Sequence, residues 1–147
     1  MKSARPREDL HVAVVLKFLA IVGVTTALAA PATAQEANVD AGKKVFMKCG
    51  ICHGIGDTKK PIGPSLNDVI GRTAGTQPDF LAKKGAGYSK AMIAAGEGGL
   101  VWDEAQIAEY ITDPKKKIPG NKMAFPGLKK EQERLDVIAY IKTFSAQ

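Results

Sequence analysis

The strongest restriction on the fold of this chain comes from one pentapeptide, Cys49-Gly50-Ile51-Cys52-His53. Two thiols three positions apart, followed at once by a histidine, form the C-x-x-C-H pattern that attaches c-type haem. Each thiol can add across one vinyl group of the porphyrin, and the imidazole is then held under the iron as a ligand. The motif therefore predicts one covalently bound haem c on Cys49 and Cys52, with His53 as the first axial ligand.

Three other interpretations of the cysteine pair were weighed against haem attachment. A disulfide between Cys49 and Cys52 would suit an oxidising compartment, and a thioredoxin-like redox pair would need a βαβ context. A structural zinc site would need four protein ligands. The sequence contains two cysteines and two histidines, and it has no alternating strand pattern. Haem attachment is favoured because a histidine directly follows the second cysteine.

Residues 1–34 differ in composition from the remainder of the chain. A basic start, an apolar run over residues 18–30 and an Ala-Thr-Ala sequence at 32–34 are typical of a secretory signal peptide. An uncleaved membrane anchor is the alternative, although the apolar run is shorter than the about 20 residues that span a bilayer. We expect cleavage after residue 34, which leaves one domain over residues 35–147 in the periplasm.

The number of histidines limits the choice of a second axial ligand. Of the two histidines, His11 would be lost with the leader, so a second histidine ligand from the same chain is excluded. A methionine thioether is the alternative that suits an electron carrier. Met47 is too close to the first cysteine to reach the opposite face, and Met92 lies in a stretch that could be helical, where methionine fills core gaps. Met123 lies between two Pro-Gly pairs, which predict a loop, and we expect it to be the second ligand.

Several ordered segments make the chain resemble class I cytochromes c, in particular the bacterial cytochrome c2 relatives of mitochondrial cytochrome c. The segments are AGKKVFMKCGICH, IGPSLNDVIGRTAGTQ, GLVWDE and DPKKKIPGNKMAFPGLKKEQERLDVIAYI. The resemblance implies an all-α fold with three main helices and Gly/Pro-rich loops wrapped around one haem. The stretch 72–102 is longer than in mitochondrial members, and Lys117 stands where the family often has an aromatic residue.

The resemblance also implies roles for individual residues. The carbonyl of Pro64 would accept a hydrogen bond from the His53 ring and orient that ligand. Tyr110 would lie near the methionine sulfur, with Asn121 beside it in place of the family's usual threonine. The remaining positions match residues that bind or neutralise the haem propionates and, for the last of them, shield the haem edge: Arg72, Tyr88, Trp102 and Phe125.

Hydrophobic periodicity and capping residues predict three helices. Asp40 would cap the first helix. In the family the first and last helices cross, so we expect Gly42 to allow their close approach and Phe46 to contact Tyr140. The predicted ranges are about 41–49, about 103–112 and about 130–144.

An iron with two protein ligands has no vacant coordination site, which suits electron transfer rather than substrate chemistry. Residues 35–147 would also contain no second histidine that could act as a general base. The sequence therefore predicts a single-haem electron carrier and not an enzyme. A haem peroxidase or oxidase and a haem gas sensor are the competing interpretations, and each would need an open or easily vacated iron position.

Lysines flank the two predicted haem-binding segments. The chain has a net charge of +6, and a ring of cations would steer acidic surfaces and speed encounter at low salt. We expect a monomer that docks on acidic faces of membrane redox complexes or periplasmic dehydrogenases, although an ordinary solvated lysine-rich surface is the alternative. The composition does not indicate nucleic acid binding, since no dense basic stripe is interleaved with aromatic residues. The lysines are Lys44, Lys48, Lys115, Lys116, Lys117, Lys122, Lys129 and Lys130.

Overall fold

The computed structural model of the protein describes residues 35–60, 62–83 and 87–146. All of them belong to the second of the two units into which the chain divides, Ala34–Gln147. The predicted leader, residues 1–34, lies outside the described residues, so the signal peptide and its cleavage stay predictions. None of the described helices combines the length and apolar character that crossing a membrane requires.

Six helices joined by loops make up the described part of the chain. Its extended pairing is limited to one isolated antiparallel bridge between Thr73 and Val101. The predicted all-α class is confirmed. Besides the three predicted helices, the described chain contains one further eight-residue helix and two four-residue helices. The helices are α1 Val39–Phe46, α2 Pro78–Leu81, α3 Lys90–Glu97, α4 Glu104–Thr112, α5 Pro114–Lys117 and α6 Glu131–Lys142.

Helix α1 begins earlier than predicted because Asn38, and not Asp40, is its N-cap. The side-chain oxygen of Asn38 accepts a hydrogen bond from the backbone N–H of Ala41 at 2.8 Å. Asp40 lies inside the first turn, where its negative charge interacts favourably with the positive end of the helix dipole. The prediction of Asp40 as the cap was therefore wrong: a carboxylate is favourable at either position, and its residue type does not distinguish them. The helix also ends at Phe46, before the predicted residue 49.

The first and last helices pack across each other, as expected. A Cβ atom on Gly42 would lie 1.9 Å from the backbone oxygen of Asp136, so only glycine allows this approach. Next to the crossing, the rings of Phe46 and Tyr140 have centroids 5.3 Å apart. The carboxylate of Asp136 is buried and accepts a hydrogen bond from the backbone N–H of Asn38 at 2.8 Å. Both predicted contacts are confirmed, and they join the two ends of the described chain.

Helix α4 links this helix pair to the loop that carries Met123. Asp103 caps α4 by accepting a hydrogen bond from the Gln106 N–H at 2.6 Å, and the helix ends at Thr112 as predicted. Pro114 then opens the short helix α5, since proline is well tolerated at the first helical position. Ile107 is buried where α4 packs on α6. The end of α5 therefore starts the methionine loop from a buried, anchored position.

Candidate functional site

The two cysteines lie in turns that directly follow α1. The Cys49 N–H donates to the carbonyl of Phe46 at 2.8 Å, and the Cys52 and His53 N–H groups donate to the carbonyl of Cys49 at 3.0 and 2.9 Å. These bonds keep both thiols and the imidazole within a short, tightly turned segment. Both cysteines are partly buried free thiols, so they form no disulfide with each other in this structure.

The environment of Cys49 is unlike that of a redox-active thiol. Burial raises the pKa of Cys49 to about 11, and the neighbouring Lys48 ammonium, which lowers it, does not compensate. Reactive cysteines have lowered pKa values because the thiolate is the nucleophile. The side chain also packs against the hydrophobic core. A neutral thiol on an apolar surface fits attachment to a vinyl group better than it fits a thioredoxin-like pair.

His53 is held by one hydrogen bond and one close contact. Its Nδ1 lies 2.8 Å from the carbonyl oxygen of Pro64. A carbonyl only accepts, so Nδ1 carries the proton and Nε2 is the nitrogen that can bind a metal. Burial lowers the pKa of His53, against the opposing effect of the Pro64 bond, and so favours the neutral form that a metal requires. A Cβ atom on Gly63 would lie 2.7 Å from the imidazole, so the loop backbone lies directly against the ring.

Arg72 stabilises the same loop from the other side. Its Nη1 donates to the carbonyl of Ser65 at 3.0 Å, and its Nη2 donates to the carbonyl of Asn67. The Asn67 side chain in turn accepts from the Gly56 N–H at 2.7 Å and donates to the Gly56 carbonyl at 2.8 Å. The sequence reasoning missed Ser65 and Asn67. No periodic pattern relates Asn67 to Gly56, a loop residue eleven positions earlier in the chain. The predicted propionate role of Arg72 stays a prediction.

Three predicted aromatic site residues gather around Arg72. Burial raises the pKa of Tyr88, and the nearby backbone of Gln77 and guanidinium of Arg72 oppose this shift without reversing it. The backbone N–H of Trp102 donates to the Arg72 carbonyl at 2.9 Å. The Trp102 and Tyr110 rings have centroids 5.0 Å apart, and burial raises the pKa of Tyr110 to about 12. The structure therefore brings together four residues that the sequence separates widely.

The methionine loop follows α5 and contains no helix or strand from residue 121 to residue 130, as predicted. Met123 and Phe125 are partly buried and pack against the core cluster. Asn121 is buried and accepts a hydrogen bond from the Met123 N–H at 2.8 Å. Met92 lies in α3 with 8% of its surface exposed, as expected for a core residue, and Met47 is 70% exposed. Of these methionines, Met123 alone lies in a loop and is partly buried against the core, since Met92 is helical and Met47 is exposed.

The donor set of this site fits a covalently attached haem. Two free thiols lie on one turn, and a neutral imidazole beside them has its Nε2 available. A thioether in a separate loop packs on the same core as Cys49. When bound, the haem supplies an iron that alternates between two oxidation states. The chain supplies the thiols that anchor it, the imidazole oriented by Pro64, and the aromatic residues that exclude water.

The sequence and the fold are similar to those of known proteins. The family profile described as Cytochrome c matches residues 39–145. Cytochrome c2 from Afifella marina is 47% identical over 107 residues, which cover 72% of this chain and 82% of that protein. Cytochrome c2 from Rhodoblastus acidophilus is 49% identical over 108 residues, which cover 73% and 92%. The X-ray structure of cytochrome c2 from Rhodobacter sphaeroides has a TM-score of 0.67 at 37% identity, covering 76% of this chain and 99% of that one.

Proposed function

This chain belongs to the cytochrome c family, and from that premise we propose that it shuttles single electrons between redox complexes in the periplasm. Membership of the family already establishes a covalently bound haem c on Cys49 and Cys52, and a function in electron transfer rather than in enzymatic catalysis. The proposal adds the compartment, the iron ligands and the kind of partner. The donors and acceptors would be a bc complex or a dehydrogenase on one side and a terminal oxidase or photosynthetic reaction centre on the other.

The proposed axial ligands are His53 and Met123. The observation that carries this assignment is the 2.8 Å contact between His53 Nδ1 and the Pro64 carbonyl, because it leaves Nε2 as the nitrogen that would bind the iron. A hydrogen bond of this kind also raises the basicity of the imidazole. Met123 is supported by its loop position and its contact with the core. With His53 and Met123 as its two protein ligands, a bound haem iron would have no open position and could exchange one electron with little rearrangement of these side chains.

The proposed roles of the other site residues follow from their contacts. Tyr88 lies near the guanidinium of Arg72, and the Trp102 backbone bonds the Arg72 carbonyl, so these three residues form one group that would face the propionates. Tyr110 contacts that group through a tilted ring contact with Trp102 and would lie beside the Met123 sulfur.

The experiment that tests the ligand assignment compares two methionine variants of the purified protein. Met123→Ala should abolish the far-red absorption band that reports Met–Fe(III) bonding, lower the reduction potential, and allow carbon monoxide to bind the reduced protein. Met92→Ala should keep the band and the potential, and should cost only packing, about 2–5 kcal/mol for a buried methionine. Loss of the band in the Met92 variant would contradict the assignment. Carbon monoxide binding by the unmodified protein would favour the gas-sensor or peroxidase alternative.

The lysines that flank the two haem-binding segments support acidic partners, and they differ in whether they already contact a carboxylate of the chain. Lys48 lies 2.8 Å from Glu133, Lys117 contacts Glu109, and Lys129 lies 3.8 Å from Asp113. Exposed pairs of this kind contribute little stability, so an acidic partner can exchange with the internal carboxylate. Lys115 and Lys122 donate to the backbone carbonyls of Asn121 and Gly87. Three other exposed members of the group have neither an acidic side chain within ion-pair distance nor a side-chain hydrogen bond in the described part of the chain: Lys44, Lys116 and Lys130. These three are the cations that we expect to steer a partner most strongly.

A further inference from the structure

We propose that Asn121 is a positioning residue, which ties the Met123 loop to the protein core and thereby limits how readily Met123 leaves the iron. This inference rests on the proposed function, because it requires Met123 to be the sixth ligand.

The side-chain amide of Asn121 is hydrogen-bonded to backbone groups of α5 and of the methionine loop. Its Nδ2 donates to the carbonyls of Pro114 at 2.7 Å and Ile118 at 2.8 Å, and its Oδ1 accepts from the Met123 N–H at 2.8 Å. A carboxamide nitrogen has two N–H donors, so neither is left for a haem propionate. The residue is only 4% exposed, which keeps water from replacing these bonds. Asn121 therefore acts on the backbone of the loop and not on the haem directly.

The two carbonyls that Asn121 binds lie at the two ends of α5, since Pro114 is its first residue and Ile118 is its C-cap. Pro114 is one of the largest fully buried side chains of the described chain, and Ile118 is 5% exposed. Asp113 caps α5 by accepting from the Lys116 N–H at 3.2 Å, which fixes the orientation of this turn. The backbone N–H of Asn121 adds a bond to the Ile118 carbonyl at 3.1 Å. Asn121 is thus joined to a buried part of the core.

Beyond Asn121 the loop has little backbone support of its own. Among residues 122–127, Met123 is the one whose backbone N–H donates a hydrogen bond, and it donates to the Asn121 side chain. The next backbone bond in the chain runs from the Leu128 N–H to the Ile111 carbonyl at 2.7 Å. Within the described residues, the Met123 backbone is therefore held by the Asn121 side chain alone. The side-chain oxygen accepts from the N–H of the residue two positions later, as in an Asx-turn.

Two substitutions remove these bonds to different extents. Asn121→Leu keeps the number of side-chain heavy atoms but removes all three side-chain bonds. Each of the two carbonyls then keeps only a backbone donor, the Ile118 N–H for Pro114 and the Asn121 N–H for Ile118. Asn121→Thr keeps an oxygen that can accept from the N–H two residues on, but its hydroxyl has one proton and cannot reach both carbonyls. We expect the loop to open most in the leucine variant and to an intermediate extent in the threonine variant.

The experiment uses imidazole as a probe of loop opening in the oxidised, haem-loaded protein. Imidazole occupies the iron only when Met123 leaves, so its apparent affinity reports how often the ligand is detached. Asn121→Leu should raise that affinity about tenfold, which corresponds to about 1.4 kcal/mol, and Asn121→Thr should give a smaller rise. The matched control is Asn67→Leu, which removes the two bonds to Gly56 on the histidine side. This variant should lose thermal stability but keep the imidazole affinity of the unmodified protein.

An unchanged affinity in Asn121→Leu, or an equal rise in Asn67→Leu, would overturn the positioning role. Met123→Ala separates this failure from failure of the ligand assignment. If Met123→Ala keeps the far-red band, the ligand assignment is wrong and the inference falls with it. If that band is lost while Asn121→Leu behaves like the unmodified protein, only the role of Asn121 is wrong. Should Asn121→Leu not fold, amide hydrogen exchange of the unmodified protein decides, since the Met123 N–H should exchange at least tenfold more slowly than the Lys122 N–H and equal rates would refute the role.

Discussion

Replacing Gly63 by alanine tests the contact between the proximal loop and the imidazole. The φ of Gly63 is not in the positive range, so an alanine backbone is conformationally acceptable there. The added Cβ would lie 2.7 Å from Cε1 and 2.8 Å from Nδ1 of His53, and 3.1 Å from the Cys52 carbonyl. An ordinary contact needs 3.4 Å or more. Because the ring would be held on the iron, we expect the loop backbone to move away from it.

The magnitude follows from two effects. Overpacking a tight site typically costs about 1–3 kcal/mol. Displacement of the loop also lengthens the 2.8 Å bond from His53 Nδ1 to the Pro64 carbonyl, and the loss of one hydrogen bond costs about 0.5–1.5 kcal/mol. Together they predict a loss of about 2–4 kcal/mol in the free energy of unfolding. A weaker bond also makes the imidazole a poorer donor to the iron, so the reduction potential should rise.

Urea unfolding of the oxidised protein measures the loss of stability, and the 15N signal of His53 Nδ1 reports the hydrogen bond. Gly50→Ala is the matched control in the same motif, since its Cβ would meet Phe46 at an ordinary 3.4 Å. That variant should be within about 0.5 kcal/mol of the unmodified protein. If Gly63→Ala is equally stable and keeps the Nδ1 signal, the steric reasoning about this loop is wrong.

Three further outcomes are expected. Acid extraction should leave the haem on the exported protein, whose mass should equal that of residues 35–147 plus one haem; a retained leader would refute the cleavage prediction. In a 13C NMR titration of the reduced protein, Tyr110 should ionise near its raised pKa of about 12. The phenol ionises near pH 10 in the unfolded chain, so the raised pKa favours the folded state below about pH 10, and this contribution is lost as the pH rises through 12. Tyr110→Phe should remove this pH dependence of the free energy of unfolding. The second-order rate with a membrane oxidase should fall as ionic strength rises, because the Debye length is about 8 Å at physiological salt; a rate independent of salt would indicate an apolar docking patch around Phe125 and Pro126.

The features that were predictable from the sequence depend on residues close together in the chain or on a pattern shared with a family. The haem motif lies within five consecutive residues, and the loop around Met123 is indicated by two Pro-Gly pairs. Periodicity located α1, α4 and α6, with ends that shifted by up to about three residues. The contact between Phe46 and Tyr140 followed from the family's helix crossing and is present. Such signals survive in a linear sequence because helical spacing and turn chemistry act over a few residues.

The hydrogen-bond partners of loop side chains were decided only by the tertiary structure. Nothing in the sequence indicates that the Asn67 amide pairs with both backbone groups of Gly56, or that the Arg72 guanidinium binds two loop carbonyls. Asn121 was predicted to stand beside the methionine, but its amide bonds to the Pro114 and Ile118 carbonyls depend on where Pro114 is buried. These bonds form because the fold brings separate loop segments into contact. A loop has no repeating residue spacing from which such a contact could be predicted.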